Sequence, residues 1–201
     1  MERKLFLRSV TLMAFSMSTL GKALRAKDGN FKGDCETTND ILGPFYRENS
    51  PERSDLTFED LVGSEIQLKG VVYKADCTTP IKDVQIEIWH CNTQGEYDND
   101  SDKYNHRGMQ KTDEKGEYSF KTIMPGKYLN GKLYRPAHIH FRVTHKEHNE
   151  LISQLYFKND PHIDLDPWAS QKQSKDRILP IFPDGTNGDI TVVFNIYLTN
   201  K

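Results

Sequence analysis

From Ser64 onward the hydrophobic positions fall on a period of two. EIQLKGVVY sets Ile66, Leu68 and Val72 on one side of an extended strand, and VQIEIWH alternates Val84, Ile86 and Ile88 with Gln85, Glu87 and Trp89. ADCTTPIKD reads as the turn between them. TDEKGEY reads as a hairpin turn ahead of YSFKTI, and AHIHFRV, LISQLYF and DITVVFNIYL have the same strand character. About six or seven short strands with Gly- or Pro-containing turns predict an all-β fold, a β-sandwich of antiparallel strands with long active-site loops and little helix. Only DPWASQKQSKDR, Asp166 to Arg177, has a helical look. It lies in a polar stretch, 158–189, of a length that is usually functional or mobile.

The chain before Ser64 is different. Residues 27–63 show no period, and GPFYRENSPERSD, with Gly43, Pro44 and Pro51, reads as an extended arm wrapping a core. That leaves residues 64–201 as the β-sandwich domain, the expected seat of any catalytic site. Residues 1–26 differ again: Arg3, Lys4 and Arg8 precede an apolar stretch from Val10 to Leu20, and Ala23-Leu-Arg-Ala26 offers a small-x-small cleavage point. This is the layout of a secretory leader, and RKLFLR resembles a degenerate twin-arginine signal. An amphipathic helix that stays attached is the alternative. The corresponding expectation is export, periplasmic or secreted, with the cytoplasm as the other reading.

Charge excludes some function classes. Among 201 residues, 27 Lys+Arg balance 29 Asp+Glu, so nothing points to a nucleic-acid partner. Mean hydropathy is −0.72, and no run approaches the ~18 apolar residues of a stable membrane span. The three cysteines, Cys35, Cys77 and Cys91, fit no zinc spacing. In an exported chain one disulfide would leave one thiol over. All three pairings are open; Cys35–Cys77 is favoured because Cys91 lies close to the candidate site, and three unpaired thiols is the alternative.

The densest chemistry is YRPAHIH, Tyr134 to His140. Alternation puts His138 and His140 on one face of a strand, close enough to share a metal ion. Imidazole suits zinc, copper, nickel and iron alike, so the pair alone says little, and two metal-free histidines on a sandwich is the plainer account. Tyr97 stands just past a strand and a glycine, and Tyr128 follows a Pro-Gly turn. Each alone fits a packing or turn role. Together, two tyrosines and two histidines make a hard, anionic donor set; phenolate suits a trivalent ion, which in turn lowers the phenol pKa from about 10.

GPFY (Gly43 to Tyr46), IEIWHCNTQGEYD (Ile86 to Asp98), RGMQKTDEKGEYSFKTIMPGKY (Arg107 to Tyr128), YRPAHIHFRV (Tyr134 to Val143) and LISQLYF (Leu151 to Phe157) resemble, in order and spacing, the intradiol ring-cleavage dioxygenases. That family includes catechol 1,2-dioxygenase and the iron-bearing chain of protocatechuate 3,4-dioxygenase. The resemblance implies a β-sandwich and a ferric ion, Fe(III), held by Tyr97, Tyr128, His138 and His140. Tyr128 matches the tyrosine that leaves the metal when substrate binds, Arg135 the arginine that stabilises charge on the substrate, and Gln154 a glutamine that orients Arg135 or substrate. The implied substrates are a catecholic small molecule and O2, and the implied product is a cis,cis-muconate. A homo-oligomer is compatible with the resemblance. Leu129-Asn130-Gly131 stands where relatives acting on protocatechuate often carry Pro-Trp-Arg, so the surroundings of a substrate carboxylate are not carried over.

Other residues are weighed against plainer roles. Pro44, Tyr46, Tyr104 and His106 are candidate substrate-binding residues, the last two in the polar loop DNDSDKYNHRGM. His90 should point opposite to Trp89 and pack. Tyr134 is read as packing, and His145, His148 and His162 as surface residues. The acidic run at 98–102 lacks calcium-loop spacing. Two other functions compete: a zinc-dependent hydrolase using His138 and His140 with a carboxylate, for which no well-spaced third ligand is evident, and a non-catalytic β-sandwich binding module.

Overall fold

A computed structural model describes residues 25–27, 30–184 and 189–201. In chain order the strands are β1 (Arg25–Lys27), β2 (Asn30–Lys32), β3 (Glu65–Lys74), β4 (Gln85–Trp89), β5 (Arg107–Lys111), β6 (Glu117–Ile123), β7 (Tyr128–Asn130), β8 (Leu133–Arg135), β9 (His138–Thr144), β10 (Leu151–Phe157), β11 (Ile178–Leu179), β12 (Phe182–Asp184), β13 (Asp189–Val193) and β14 (Ile196–Leu198). They build the expected sandwich. One sheet, here the front, has the order β11-β10-β9-β4-β5; in the back sheet β3 is flanked by β6 on one edge and by β13 and β14 on the other.

Strands joined by short turns pair antiparallel, but the sheets are mixed. β13 and β14 run parallel to β3, and β11 runs parallel to β10. A tight turn forces antiparallel pairing, whereas a long connection permits a crossover, and these parallel strands all follow the irregular stretch after β10. DITVVFNIYL is one edge broken in the middle. The side chain of Asn195 accepts from Val71 N at 3.1 Å, taking the place of a ladder bond. Gly70 lies against this break, where a Cβ would run into Phe194 O.

The core lies between the sheets. Ile66, Leu68, Val72 and Phe120 of the back sheet meet Ile86, Ile88, Ile139, Phe141, Val143 and Leu155 of the front sheet, all fully or nearly fully buried. In β3 and β6 burial alternates, as in a sheet with one wet face. In β4 and β10 it does not: nearly every residue is buried. The outer face of the front sheet is therefore covered too. The arm does part of this, with Asp40 N bonding to Ile152 O at 2.8 Å and Arg53 N to Met109 O at 2.9 Å, before Leu56 N crosses to Lys121 O of the back sheet at 2.8 Å.

Several expectations need correction. RGMQK, read as part of a loop, is β5; its burial falls from Arg107 to the exposed Lys111 and carries no period of two. DPWASQKQSKDR is no α-helix; it forms turns and a short 3-10 helix, Lys172–Arg177, because it has no continuous apolar stripe and Asp166 is turned inward. His148 is buried rather than at the surface, held where the β9–β10 connection bridges to Asn200. The expected leader falls almost entirely on residues 1–24, outside the described residues, and its expected boundary near residue 26 falls on β1. Among the described residues no helix is long and apolar enough to cross a membrane.

Cys35 and Cys77 form a disulfide across a sequence separation of 42, tying the start of the arm to the turn after β3, and Cys91 is a buried free thiol. Closing a loop of that size restricts the unfolded chain by about 4 kcal/mol. Reduction, or Cys77→Ser, should lower the urea unfolding free energy by about 3–4 kcal/mol. An unchanged midpoint on reduction would show that the bridge does not contribute.

Candidate metal centre

The outer face of the front sheet places the candidate residues by register alone. In antiparallel pairs, directly opposed residues share a face. His140 stands opposite Trp89 on β4 and Gln154 on β10, and His138 stands opposite Tyr156. Trp89, His138, His140, Gln154 and Tyr156 thus form one polar and aromatic layer, each 1% exposed or less. The inward residues of the same strands, Ile88, Ile139 and Leu155, belong to the core.

Two loops bring the tyrosines over this layer. Tyr97 Oη lies 3.3 Å from His138 Nε2. Tyr128 begins the β7–β8 hairpin, directly opposite Arg135 at its end, and Arg135 Nη1 reaches Tyr128 Oη at 3.5 Å and His138 Nε2 at 3.4 Å. The two histidine rings are 4.9 Å apart and the two tyrosine rings 5.7 Å apart. The arm closes the top. Phe45 stacks on Tyr97 at 4.3 Å, and Gly43, at φ 76°, passes so close that a Cβ would come within 3.0 Å of His140 Cε1. His140 is held from another side by Trp89, stacked at 4.7 Å.

The donors fit a metal ion. Both ring nitrogens of His140 are buried without a hydrogen bond, an arrangement that leaves a ligand lone pair unused. His138 Nδ1 donates to Pro136 O at 2.7 Å, which fixes the tautomer and turns the Nε2 lone pair toward Tyr97. Burial, then Arg135, lowers the His138 pKa to about 3, and burial, then His138, holds His140 well below its ordinary value; both rings are neutral and able to bind a cation. Burial raises both phenols above their ordinary value, Tyr97 most. Each would therefore release a proton on coordination. Among the described residues, no three His, Cys, Asp or Glu side chains converge on one point, so a metal held here must use the tyrosines.

Arg135 is the most connected side chain of the site. Its Nε donates to Asp166 Oδ2 at 2.8 Å and its Nη2 to Gln154 Oε1 at 3.0 Å, and its guanidinium lies 4.4 Å from the Trp168 ring centre. Gln154 Nε2 donates to Ile41 O at 2.8 Å, and Tyr156 Oη donates to Asp40 Oδ2 at 3.0 Å. Asp40 also accepts from Arg177 Nη1 at 2.6 Å. Asp166, Trp168, Asp40, Tyr156 and Arg177 escaped the sequence reading. Two signals could have found some of them: Tyr156 follows Gln154 at strand spacing, and Asp166 lies in the long polar stretch expected to be functional.

Of the candidate substrate-binding residues, only Pro44 lies beside the centre, between Gly43 and Phe45. Pro44 is exposed on the turn beside Gly43. Tyr46 sits one step along the sheet, accepting from Arg142 Nη1 at 2.6 Å and donating to Glu87 Oε2 at 3.3 Å. Tyr104 stacks on the Arg47 guanidinium at 4.0 Å. His106 is buried between His90 and Phe58, lining a separate cleft of about 320 Å³ behind Tyr97. The loop does not reach the site because Tyr104 and His106 adopt φ of 51° and 56°, turning the chain back into β5. His90 packs as expected, bonded to Thr122 Oγ1 at 2.7 Å.

This is a β-sandwich with a tyrosine–histidine centre built on the covered face of one sheet. Residues 41–199 match the family described as Dioxygenase, and the chain belongs to the intradiol ring-cleavage dioxygenases. It is 31% identical to the chlorocatechol 1,2-dioxygenase of Rhodococcus opacus over 191 residues, 82% of this chain and 73% of that one. It is 29% identical to an intradiol ring-cleavage dioxygenase of Aspergillus niger over 193 residues, 84% of this chain, and spans only 60% of that relative's length. Among solved structures, the dioxygenase domain of a carbohydrate-binding fusion from Streptomyces sp. SirexAA-E superposes with a TM-score of 0.72 at 25% identity, covering 82% of this chain and 99% of that one. The fold is shared with an intradiol dioxygenase of Tetranychus urticae, with a TM-score of 0.71 at 21% identity over 82% of this chain and 95% of that one.

The Arg135–Asp166 pair yields a stability prediction. Burial raises the Asp166 pKa, but bonds from Arg135, Ala169 N and Trp168 N outweigh it, and the net shift is downward. A lowered folded pKa stabilises the protein above the unfolded value of about 4, and this contribution is lost as pH falls through the folded value. Asp166→Asn, which strands a buried cation, should cost about 3–5 kcal/mol near neutral pH. The gap from the parent should narrow in acid, as read by urea melts from pH 7 to 3.

Proposed function

We propose that this chain is a non-haem Fe(III) dioxygenase that cleaves a catechol between its two hydroxylated carbons with O2, giving a cis,cis-muconate-type product. The observation that carries the reading is the convergence of Tyr97, Tyr128, His138 and His140 beside a buried, fully bonded Arg135. When bound, ferric iron supplies a hard Lewis acid that takes catecholate oxygens and draws electron density from the ring. A zinc hydrolase is less well supported, because it leaves the two tyrosines unexplained and lacks a third nitrogen, sulfur or carboxylate donor among the described residues.

The protein side chains have distinct tasks. His138 and His140 are locked neutral donors, one by Pro136 O and the other between Trp89 and Gly43. Tyr128 belongs to a hairpin whose strands pair only with each other, so it can swing aside, and its Oη can take a proton from the catechol. Arg135, kept cationic by Asp166, faces the same space and offsets negative charge that builds on the substrate. Gln154 and Trp168 hold the guanidinium in place. The arm and the aromatic layer exclude water from the reacting carbons. The Cys35–Cys77 bridge and the leader-like start support export to an oxidising compartment.

The loaded protein should be red-brown from phenolate-to-iron charge transfer, and it should consume O2 with one or more of catechol, hydroxyquinol and protocatechuate while forming a muconate-type absorbance. His138→Ala should lose iron. Tyr128→Phe should keep fold and metal but change colour and slow substrate binding. A folded preparation that stays colourless when ferric iron is supplied would sink the reading.

A further inference from the structure

Among the described residues, three arginines are buried to 2% exposure or less: Arg107, Arg135 and Arg177. Two of them are ion-paired, Arg135 with Asp166 at 2.8 Å and Arg177 with Asp40 at 2.6 Å. Arg107 is not bonded in this way. Its Nε donates to Asp98 O at 2.9 Å, while Nη1 and Nη2 are buried without any hydrogen bond. The neighbouring carboxylates are committed elsewhere, Asp98 to Arg47, Ser101 and Asn105, and Glu87 to Ser50 and Tyr46. A buried cation with unmet donors is strongly unfavourable on its own, so its retention calls for a compensating anion.

Position points to that anion. Arg107 stands opposite Trp89 in the β4–β5 register, and Trp89 stacks on His140. The carbonyl that Arg107 holds belongs to the residue directly after Tyr97. Arg107 thus approaches the site from the β5 side, behind Tyr97, while Arg135 approaches from the β10 side, next to Tyr128.

We propose that Arg107 is a positioning residue of the metal centre. It fixes the Tyr97 loop through Asp98 O, and its unpaired charge holds the negative charge that Tyr97 carries as a metal ligand. The inference rests on the ferric reading above. It makes the two tyrosines unequal: the cation near Tyr128 is already neutralised by Asp166, whereas the cation near Tyr97 is not.

The test compares the parent with Arg107→Met and Arg107→Lys. Ferric affinity is read by chelator competition, the phenolate-to-iron band by absorption of the loaded protein, and stability by melting of the metal-free protein. In Arg107→Met the metal-free protein should melt at or above the parent temperature. Its iron affinity should fall about tenfold or more, the equivalent of about 1.4 kcal/mol. Its band should move to longer wavelength, because the phenolate has lost a stabilising cation. Arg107→Lys should recover most of the affinity and band position. Unchanged iron affinity and band in Arg107→Met would overturn the proposal, as would equal losses in the Met and Lys variants. If Arg107→Met does not fold, Arg107→Gln carries the same comparison with the same outcomes. A parent protein that takes up no ferric iron would instead refute the ferric reading itself.

Discussion

A sheet buried on both faces can keep polar side chains on its second face only if each finds a partner. The front sheet is under this constraint along β4, β9 and β10. Its inner face is ordinary core. Its outer face carries Glu87, His138, His140, Gln154 and a tyrosine hydroxyl, all nearly inaccessible to water. Partners must therefore come from chain segments laid over the sheet, and these segments are the irregular ones. The arm brings Asp40, Ile41, Tyr46 and Ser50; the stretch after β10 brings Asp166 and Arg177. Irregular backbone here is held by these side chains together with isolated main-chain bonds to the sheet edges.

Two buried ion pairs organise that cover. Asp40–Arg177 joins the arm to the end of the 3-10 helix, and Asp166–Arg135 joins the start of the same segment to the β8 end of the hairpin. Gln154 and Tyr156 connect the pairs across β10, since Arg135 Nη2 bonds to both of them and Arg177 Nη1 bonds to Gln154 O. Buried ion pairs contribute little net stability compared with apolar packing, because desolvation offsets much of the attraction. Their use here lies in direction: they aim one guanidinium at His138 and Tyr128 and leave it no other orientation.

How far the molecule was legible in its sequence follows from the same constraint. β3 and β6 have one wet face and show the period of two plainly, so the sandwich could be read from them. β5, five residues long and containing Gly108, is buried at one end and exposed at the other and shows no such period. The tyrosines and histidines were legible through motif spacing, because each sits on or beside an element whose register is short-range. Asp166 was not, being 31 residues from the arginine it pairs with and joined to it only by tertiary folding. Tyr104 and His106 were placed at the site because their loop follows Tyr97. The positive φ angles that turn them away are uncommon for such residues and leave little trace in composition. The parallel pairing of β13 and β14 was hidden for a similar reason, since strand direction across a long connection has no local signature.

The tyrosines show how the cover differentiates residues of the same type. Tyr97 is wedged against Phe45, and the residue after it is tied by Arg107 and Arg47. Moving it would disturb the arm and β5 together. Tyr128 sits at the base of a two-stranded hairpin that no third strand restrains and whose outer residues Leu129, Leu133 and Tyr134 are exposed. Few main-chain bonds oppose its displacement, and a short isolated hairpin is at most marginally stable by itself. Its cross-strand partner at that base is Arg135, which Asp166 anchors. The hairpin base thus sets a partly exposed tyrosine beside a buried, ion-paired guanidinium. On the ferric reading proposed above, a rotation of the Tyr128 side chain would leave that guanidinium in place.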